Sequence, residues 1–278
     1  KYAMSPTNRR EMFEEERVYI DTDGVTLRWN YEKYPDKRKA GDNFYKEQKL
    51  ADSGNLIKLN DTVMLWEMSQ ELFNSFSEVY LLTYQFEGSM LEWFFKAKGI
   101  SYEVEDRTPK NLKYGNLINI IEDERMNAIG DGWSALSVNG TKNLPEVTIK
   151  ELKNNMTNLR KRYWAEGGVK SRMYTCVKSA TKNLSVDGWK SSHVVHNIRG
   201  SNNYRHVVNC AYLYNVFLSP EHKQYFDKLG VEIDDETYAL NSLLQWLFRS
   251  QLRDKKTVSI YIPSRRMREL LKKWCSEN

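Results

Sequence analysis

Apolar and polar positions alternate with a period of two on both sides of the Asp-Gly in RVYIDTDGVTLRW, which predicts a β-hairpin over 17–29. The next stretch, KYPDKRKAGDNFYKEQK, is polar and reads as a loop or a solvated helix. LNDTVMLWEMSQELFNSFS spaces Leu65, Trp66, Leu72, Phe73 and Phe76 at helical intervals and predicts a helix. A short apolar run at 79–83 then has strand character, and YQFEGS punctuates it. MLEWFFKAKG predicts a helix closed by Gly99, and ISYEVE a second strand. Strand, loop, helix and strand in this order build parallel sheets.

Residues 107–168 break the pattern. They are polar and rich in Asn and Lys, with GDGWSALSVNG as a loop and TIKELKNNMTNLRKRYWAEGG as a basic helix ending in Gly-Gly. From 171 the alternation resumes. RMYTCVK, SHVVHNI, CAYLYNVFL and TVSIYIP predict strands; SPEHKQYFDKLG, DDETYALNSLLQWLFRSQLR and SRRMRELLKKWCSEN predict helices. The expected class is α/β, a mainly parallel sheet with flanking helices, joined to a mixed N-terminal region and a polar helical insertion.

With 278 residues, 40% of them hydrophobic, the chain can bury a substantial core. The net charge of +5 is mild, but RSQLRDKK, PSRRMRELLKKW and NLRKRYW concentrate cations beside aromatic residues. Such runs fit a polyanion partner, or simply solvated helix faces. Cys176, Cys210 and Cys275 form no CxxC pair, so neither a disulfide framework nor a zinc ribbon is expected, and a reducing cytoplasm is the natural compartment. No apolar run reaches the ~18 residues of a membrane-spanning helix, and no signal peptide is visible. The chain opens KYAMSPTNRR without an initiator Met, and the expectation is a piece of a longer protein.

Two segments carry candidate chemistry. In NIRGSNNY, read as a loop leaving a strand, Arg199 offers a guanidinium fork beside the close-approach backbone of Gly200, with Ser201, Asn202 and Asn203 as hydrogen-bonding groups. In the helix predicted over 236–253, Gln245, Arg249 and Arg253 recur every four residues on one face. That stripe fits phosphate binding, and it also fits a surface ridge with Arg249 paired to an acidic neighbour. His193, His196 and His206 with Cys176 and Cys210 make a poor metal set, because the first two point to opposite faces of a predicted strand. Asp234, Asp235 and Glu236 suit a helix N-terminus better than a paired-carboxylate site.

Read in order, LLTYQFEGS, RMYTCVK, NIRGSNNY, AYLYNVFLSP, LLQWLFRSQLR and VSIYIPSRRM resemble the late motifs of a superfamily 2 helicase-type ATPase. The last three are similar to the C-terminal end of helicase-like proteins of bacteriophages and mobile elements. The resemblance covers about 77–100 and 171–278. It implies a RecA-like second lobe whose sixth motif, Q-x-x-G-R-x-x-R, is matched by Gln245 and Arg249, with Phe248 in place of the Gly and the second arginine one position late at Arg253. Arg199 and Gly200 match the fifth motif, with Asn202 where an Asp is usual. Thr83 and Ser89 would be the polar members of the third motif, and Lys178 and Ser179 would leave the fourth.

The resemblance thus implies catalytic roles for Arg249 and Arg253, ATP contacts from Gln245, Arg199, Gly200 and Asn202, and nucleic-acid contacts from Thr83, Ser89, Lys178, Ser179 and Asn197. No G-x-x-x-x-G-K-[ST] loop and no magnesium-holding Asp-Glu strand end occurs. ATP and Mg2+ would therefore bind only with an upstream phosphate-loop lobe, supplied in cis or in trans, and the chain alone is not expected to hydrolyse ATP. The implied organisation is 1–106 as the end of a first RecA-like lobe, 107–168 as a connector or insertion, and 169–278 as the second lobe. The expected partner is nucleic acid, DNA ahead of RNA, in phage or mobile-element replication within a bacterial host. The competing expectation is a non-catalytic module that binds nucleic acid or a replication protein. A nuclease or packaging component is a third option without an acidic metal cluster to support it.

Overall fold

The computed structural model describes residues 2–3, 6–61, 63–105, 113–142, 144–165, 168–184, 186–198 and 200–278. Through Thr83 the chain forms strands β1 (Tyr2–Ala3), β2 (Val18–Ile20), β3 (Leu27–Trp29), β4 (Leu56–Lys58) and β5 (Val63–Trp66) and helices α1 (Pro6–Arg9), α2 (Tyr45–Asp52) and α3 (Glu71–Asn74). There follow α4 (Met90–Lys98), β6 (Ile118–Ile120), α5 (Glu124–Asn127), α6 (Glu146–Asn158), β7 (Arg172–Cys176) and β8 (Asn209–Leu213). The chain closes with α7 (Pro220–Lys228), α8 (Asp235–Leu247), β9 (Val258–Tyr261) and α9 (Arg265–Glu277).

Two compact units result. One comprises Lys1–Thr83 with Pro220–Val231; the other comprises Tyr84–Ser219 with Glu232–Asn278. In the first, the expected hairpin forms with Val18 opposite Trp29 and Ile20 opposite Leu27. Its turn is fixed by Asp23, whose carboxylate accepts the N–H groups of Val25 and Thr26. Met12, Val18, Leu27, Trp29, Phe44, Ala51, Leu56 and Met64 make the core. The helix expected across Leu65–Phe76 is instead β5 followed by the short α3, because Met64 and Leu65 are buried in an antiparallel ladder with β4. Trp66, Leu72 and Phe76 are exposed, so the helical spacing does not mark a buried stripe. Helix α7 joins this unit through a Tyr225 hydroxyl to Glu67 carboxylate bond and a Lys228 ammonium on the Leu59 carbonyl (2.7 Å).

The second unit is built on a four-stranded parallel sheet of order β6-β9-β8-β7. Residues with period-two alternation supply both of its faces. Met173, Cys210, Tyr212, Val258 and Ile260 pack with α8 and α9 through Leu243, Leu247, Met267 and Leu271. Tyr174, Cys176, Ala211, Leu213 and Tyr261 pack with Leu152 and Met156 of α6 and with Trp164 and Trp189. Burial of both faces explains why every residue of β7 and β8 is buried, while the edge strand β6 leaves Asn119 exposed.

Several expectations are corrected by this sheet. Residues 107–168 are no connector: their described part supplies edge strand β6 and covering helix α6. The apolar signal was there, in Leu117, Ile118, Ile120 and Ile121, but spread over too few residues to stand out against the surrounding polar run. The runs at 79–83 and 100–105 form no strand, and SHVVHNI contributes a single parallel bridge from His193 to Tyr174. The helix expected over 236–253 ends at Leu247, and Gln251–Asp254 form a separate 3-10 turn whose N-cap is the buried Ser250. The boundaries at 106 and 168 therefore do not separate structural units.

The tightest backbone approach in the sheet unit involves Gly130. A methyl group there would lie 2.0 Å from the Pro263 carbonyl oxygen and 2.6 Å from the Ser264 nitrogen. At Gly132 the nearest atom would be Ala135 Cβ at 3.6 Å, an ordinary contact. Gly130→Ala should lower unfolding free energy by roughly 1–3 kcal/mol or more, since backbone cannot step aside. Gly132→Ala should stay within about 0.5 kcal/mol of the parent. Urea denaturation of the two variants checks this, and equal stabilities would contradict the close approach.

Candidate nucleic-acid interface

Because the four strands are parallel, loops that follow strands gather at one edge of the sheet and loops that precede them gather at the other. In open α/β sheets the carboxyl edge is the usual ligand edge. Here the part of that edge beyond β8 and β9 is filled by the chain itself. Asn215, 1% exposed, donates from its amide to the Trp133 and Ala135 carbonyls (2.8 and 3.1 Å). Its backbone N–H reaches the Leu136 carbonyl, and Leu136 is held at φ 62°, left-handed.

Arg266 locks this arrangement from below. Its guanidinium donates to Asn215 Oδ1 (3.2 Å), the Val216 carbonyl (2.6 Å) and the Asp235 carbonyl (3.1 Å), and lies 3.5 Å from the Asp235 carboxylate. The Phe217 ring, 4.3 Å away, and the Trp133 ring, 5.5 Å away, stack against it. Burial pulls its pKa down, and the Asp235 and Glu236 charges pull it back. Arg268 similarly donates to the Ile262 and Pro263 carbonyls. Loop 130–141 thus packs over the carboxyl ends of β8 and β9 through Asn215 and Pro263. The sequence motifs did not single out Asn215, Arg266 or Arg268. The available signal was PSRRMR directly after an apolar strand, too common a pattern to single out.

The opposite, amino edge carries the candidate residues that come together. The loop ending in Asn202 runs into β8 rather than out of a strand, which corrects its expected position. The 3-10 turn Gln251–Asp254 runs into β9, and Gln251 N–H bonds the Val207 carbonyl (3.0 Å), tying the two segments side by side. Arg253 donates to Asn202 Oδ1, so two of the expected site residues meet directly. Arg205 pairs with Asp254, whose carboxyl it holds below the usual carboxylate range. Arg249 is half-buried, with an Nε that finds no partner among the described residues. Lys255 and Lys256 are exposed and complete a basic surface.

Gln245 lies half-buried on α8, before the helix ends, so it does not line up with Arg249 and Arg253 as a continuous helix would require. Phe248 ends that helix by packing on Tyr84, Tyr114 and Trp274, an anchoring role that a Gly could not fill. Gly200 is exposed at φ 64°, and Asn197 is exposed in the preceding turn. Arg199 lies outside the described residues. Lys178 and Ser179 are exposed after β7, on the carboxyl edge, away from the Asn202–Arg253 pair. Ser89 is the N-cap of α4 and accepts from the Glu92 N–H (3.1 Å), while Thr83 is exposed and belongs to the other unit.

This site lies within the span that relates the chain to known proteins. Residues 112–275 match the family described as the YonV C-terminal Rossmann-like domain, more than half of the chain. The chain belongs to the YonV family. It is 31% identical over 274 residues to the SPbeta prophage-derived protein YonV of Bacillus subtilis (strain 168), with 92% of the chain and 66% of that relative covered. The chain therefore spans about two-thirds of the relative's length. No solved structure matches the chain. Both edges of the YonV-type Rossmann-like sheet, the sealed one and the basic one, fall inside the matched residues.

Among the described residues of this YonV-family chain, no group of three or more His, Cys, Asp or Glu could hold a metal ion, and no helix is long and apolar enough to cross a membrane. Cys176 and Cys210 are buried, and burial raises both thiols, Cys210 far above the ordinary range. His193 and His196 pack edge-on against Tyr174 and Tyr214. Burial lowers both imidazole pKa values below the ordinary 6.5. The fold therefore favours their neutral forms, and their contribution to stability is full above 6.5 and lost as pH falls through the lowered values. Thermal midpoints should drop between about pH 7 and 5. The double variant H193F/H196F should show a shallower drop in the same scan, and an unchanged drop would show that these two groups do not carry the acid sensitivity.

Proposed function

We propose that the Rossmann-like unit binds nucleic acid across the amino edge of its sheet, as one part of a longer phage or mobile-element protein. The observation that carries this reading is the convergence of Arg205, Arg249, Arg253, Lys255 and Lys256 on two turns tied together through Gln251 and Val207. Cations in this density neutralise successive phosphates and release counterions, while Asn202 adds an uncharged amide donor for backbone or base contacts. Lys255 adds a second argument. It stands at φ 59°, a left-handed position that favours glycine by about 1 kcal/mol. A lysine kept there at a cost in fold stability fits a charge used for binding.

A narrower reading assigns the chain the arginine-finger side of a helicase-type ATPase, with Arg249 and Arg253 stabilising the transferred phosphoryl group. The Asn202–Arg253 bond favours it, because it joins two segments that resemble separate ATPase motifs. This reading needs ATP, Mg2+ and a phosphate-loop lobe from elsewhere in the full protein or from a partner. Arg249→Ala in the full-length protein would then abolish stimulated ATP hydrolysis while costing nucleic-acid binding no more than one phosphate contact; unchanged turnover excludes the narrower reading and leaves the binding role standing.

The binding role is tested on Lys255. Lys255→Gly should be as stable as the parent or more stable, by up to about 1 kcal/mol. It should bind a single-stranded 12-mer more weakly, and its plot of log affinity against log salt should flatten by about 0.7, one phosphate contact. Equal affinity and equal slope in fluorescence anisotropy would contradict the assignment.

A further inference from the structure

An open cavity of about 420 Å3 lies at the amino ends of β7 and β8, lined by Arg162, Tyr163, Trp164, Ser171, Val208 and Asn209. It opens beside the basic turns described above, since Val208 lines it and the adjacent Val207 carbonyl accepts the Gln251 N–H. Two of its lining side chains are held by hydrogen bonds. Trp164, 4% exposed, donates its indole N–H to Ser259 Oγ (3.0 Å) and packs on Trp189. The Tyr163 hydroxyl donates to the Asp123 carboxylate (2.8 Å), which holds a 45%-exposed ring in place at the mouth.

The polar group at the floor is the informative one. Asn209 is 93% buried, as its 7% exposure states, and it sits on the sheet face shared with Ala211 and Leu213. Its side-chain amide has no hydrogen-bond partner among the described residues. The open cavity leaves that amide free to pair with whatever enters it. An amide offers a donor and an acceptor side by side, the complement of a nucleobase edge. Tyr163 offers a ring face for stacking, and the exposed Arg162 a guanidinium for a phosphate. The volume lies within the range of small-ligand pockets.

We propose that this cavity is a nucleotide pocket that takes one base with its 5′-phosphate from a single strand lying along the basic edge. The proposal deepens the nucleic-acid reading and rests on it. The base meets Asn209, stacks on Tyr163, and leaves its phosphate at Arg162, from where the strand continues toward Arg253 and Lys255.

The experiment titrates the full chain with 5′-AMP, following intrinsic tryptophan fluorescence, with inorganic phosphate as the control probe. A labelled single-stranded dA12 is titrated in parallel by anisotropy. The expected result is saturable AMP binding that inorganic phosphate does not reproduce, weakened ten-fold or more in Asn209→Leu and in Tyr163→Ala. Tyr163→Ala alters an exposed ring and guards against a folding defect in the strand variant. Both variants should keep the salt slope of dA12 binding while losing affinity for it. If dA12 binds and depends on Lys255 but AMP does not bind, or Tyr163→Ala and Asn209→Leu change neither titration, the pocket is wrong and the interface stands. If phosphate binds as well as AMP, base recognition is wrong. If dA12 itself does not bind, the interface reading fails and the pocket with it.

Discussion

The organisation of the Rossmann-like unit depends on the burial of one cation. Arg266 enters the sheet's carboxyl edge from the first turn of α9 and meets two backbone carbonyls, the Asn215 amide oxygen and the Asp235 carboxylate. A guanidinium with so little water must be satisfied by fixed partners, since breaking such a set leaves an uncompensated charge. Each partner comes from a different part of the chain: the loop after β8, the start of α8, and, through Asn215, the loop 130–141. The Gly130 backbone then closes on the Pro263 carbonyl, an approach open only to a residue without Cβ.

The two edges of the sheet are organised in opposite ways. The edge where open α/β sheets commonly hold a ligand is covered beyond β8 and β9 by the buried Leu136, Asn215 and Arg266. The amino edge is organised in the opposite way. Its cations stay exposed or half-buried, Arg205 pairs with Asp254, and the 3-10 turn is followed by a lysine in a glycine-type conformation. Burial of uncharged anchors makes this possible: Phe248 and Leu252 pack on the core, and Arg253 and Lys255 are left exposed, with Arg249 half-buried between them.

Much of the sheet was legible in the sequence because its strands are buried on both faces. RMYTC, NCAYL and VSIY are short apolar runs followed by turns or helices, and a parallel α/β sheet was the natural inference. β6 was not legible, because an edge strand of three residues between polar segments gives almost no periodic signal. The helix expected across Leu65–Phe76 failed for a related reason: helical and strand spacings coincide over a few residues, and only the pairing with β4 decides between them. In the site, Gln245, Arg249 and Arg253 were read as a stripe on one helix, which ends at Leu247. The buried Ser250 caps a new turn there, which no periodicity reveals. Asn209 and Asn215 look alike as strand-end asparagines; only burial and hydrogen bonding show that one locks the fold and the other lines a cavity.

The central claim is that nucleic acid meets the amino edge of this sheet and not the carboxyl edge. Lysine reactivity reads the two edges within one molecule, since Lys255 and Lys256 are exposed on one and Lys178 on the other. Acetylation of the full chain would be compared by mass spectrometry with and without saturating single-stranded DNA. The account predicts protection of Lys255 and Lys256 with Lys178 still reactive; protection of Lys178 with Lys255 and Lys256 unchanged would contradict it.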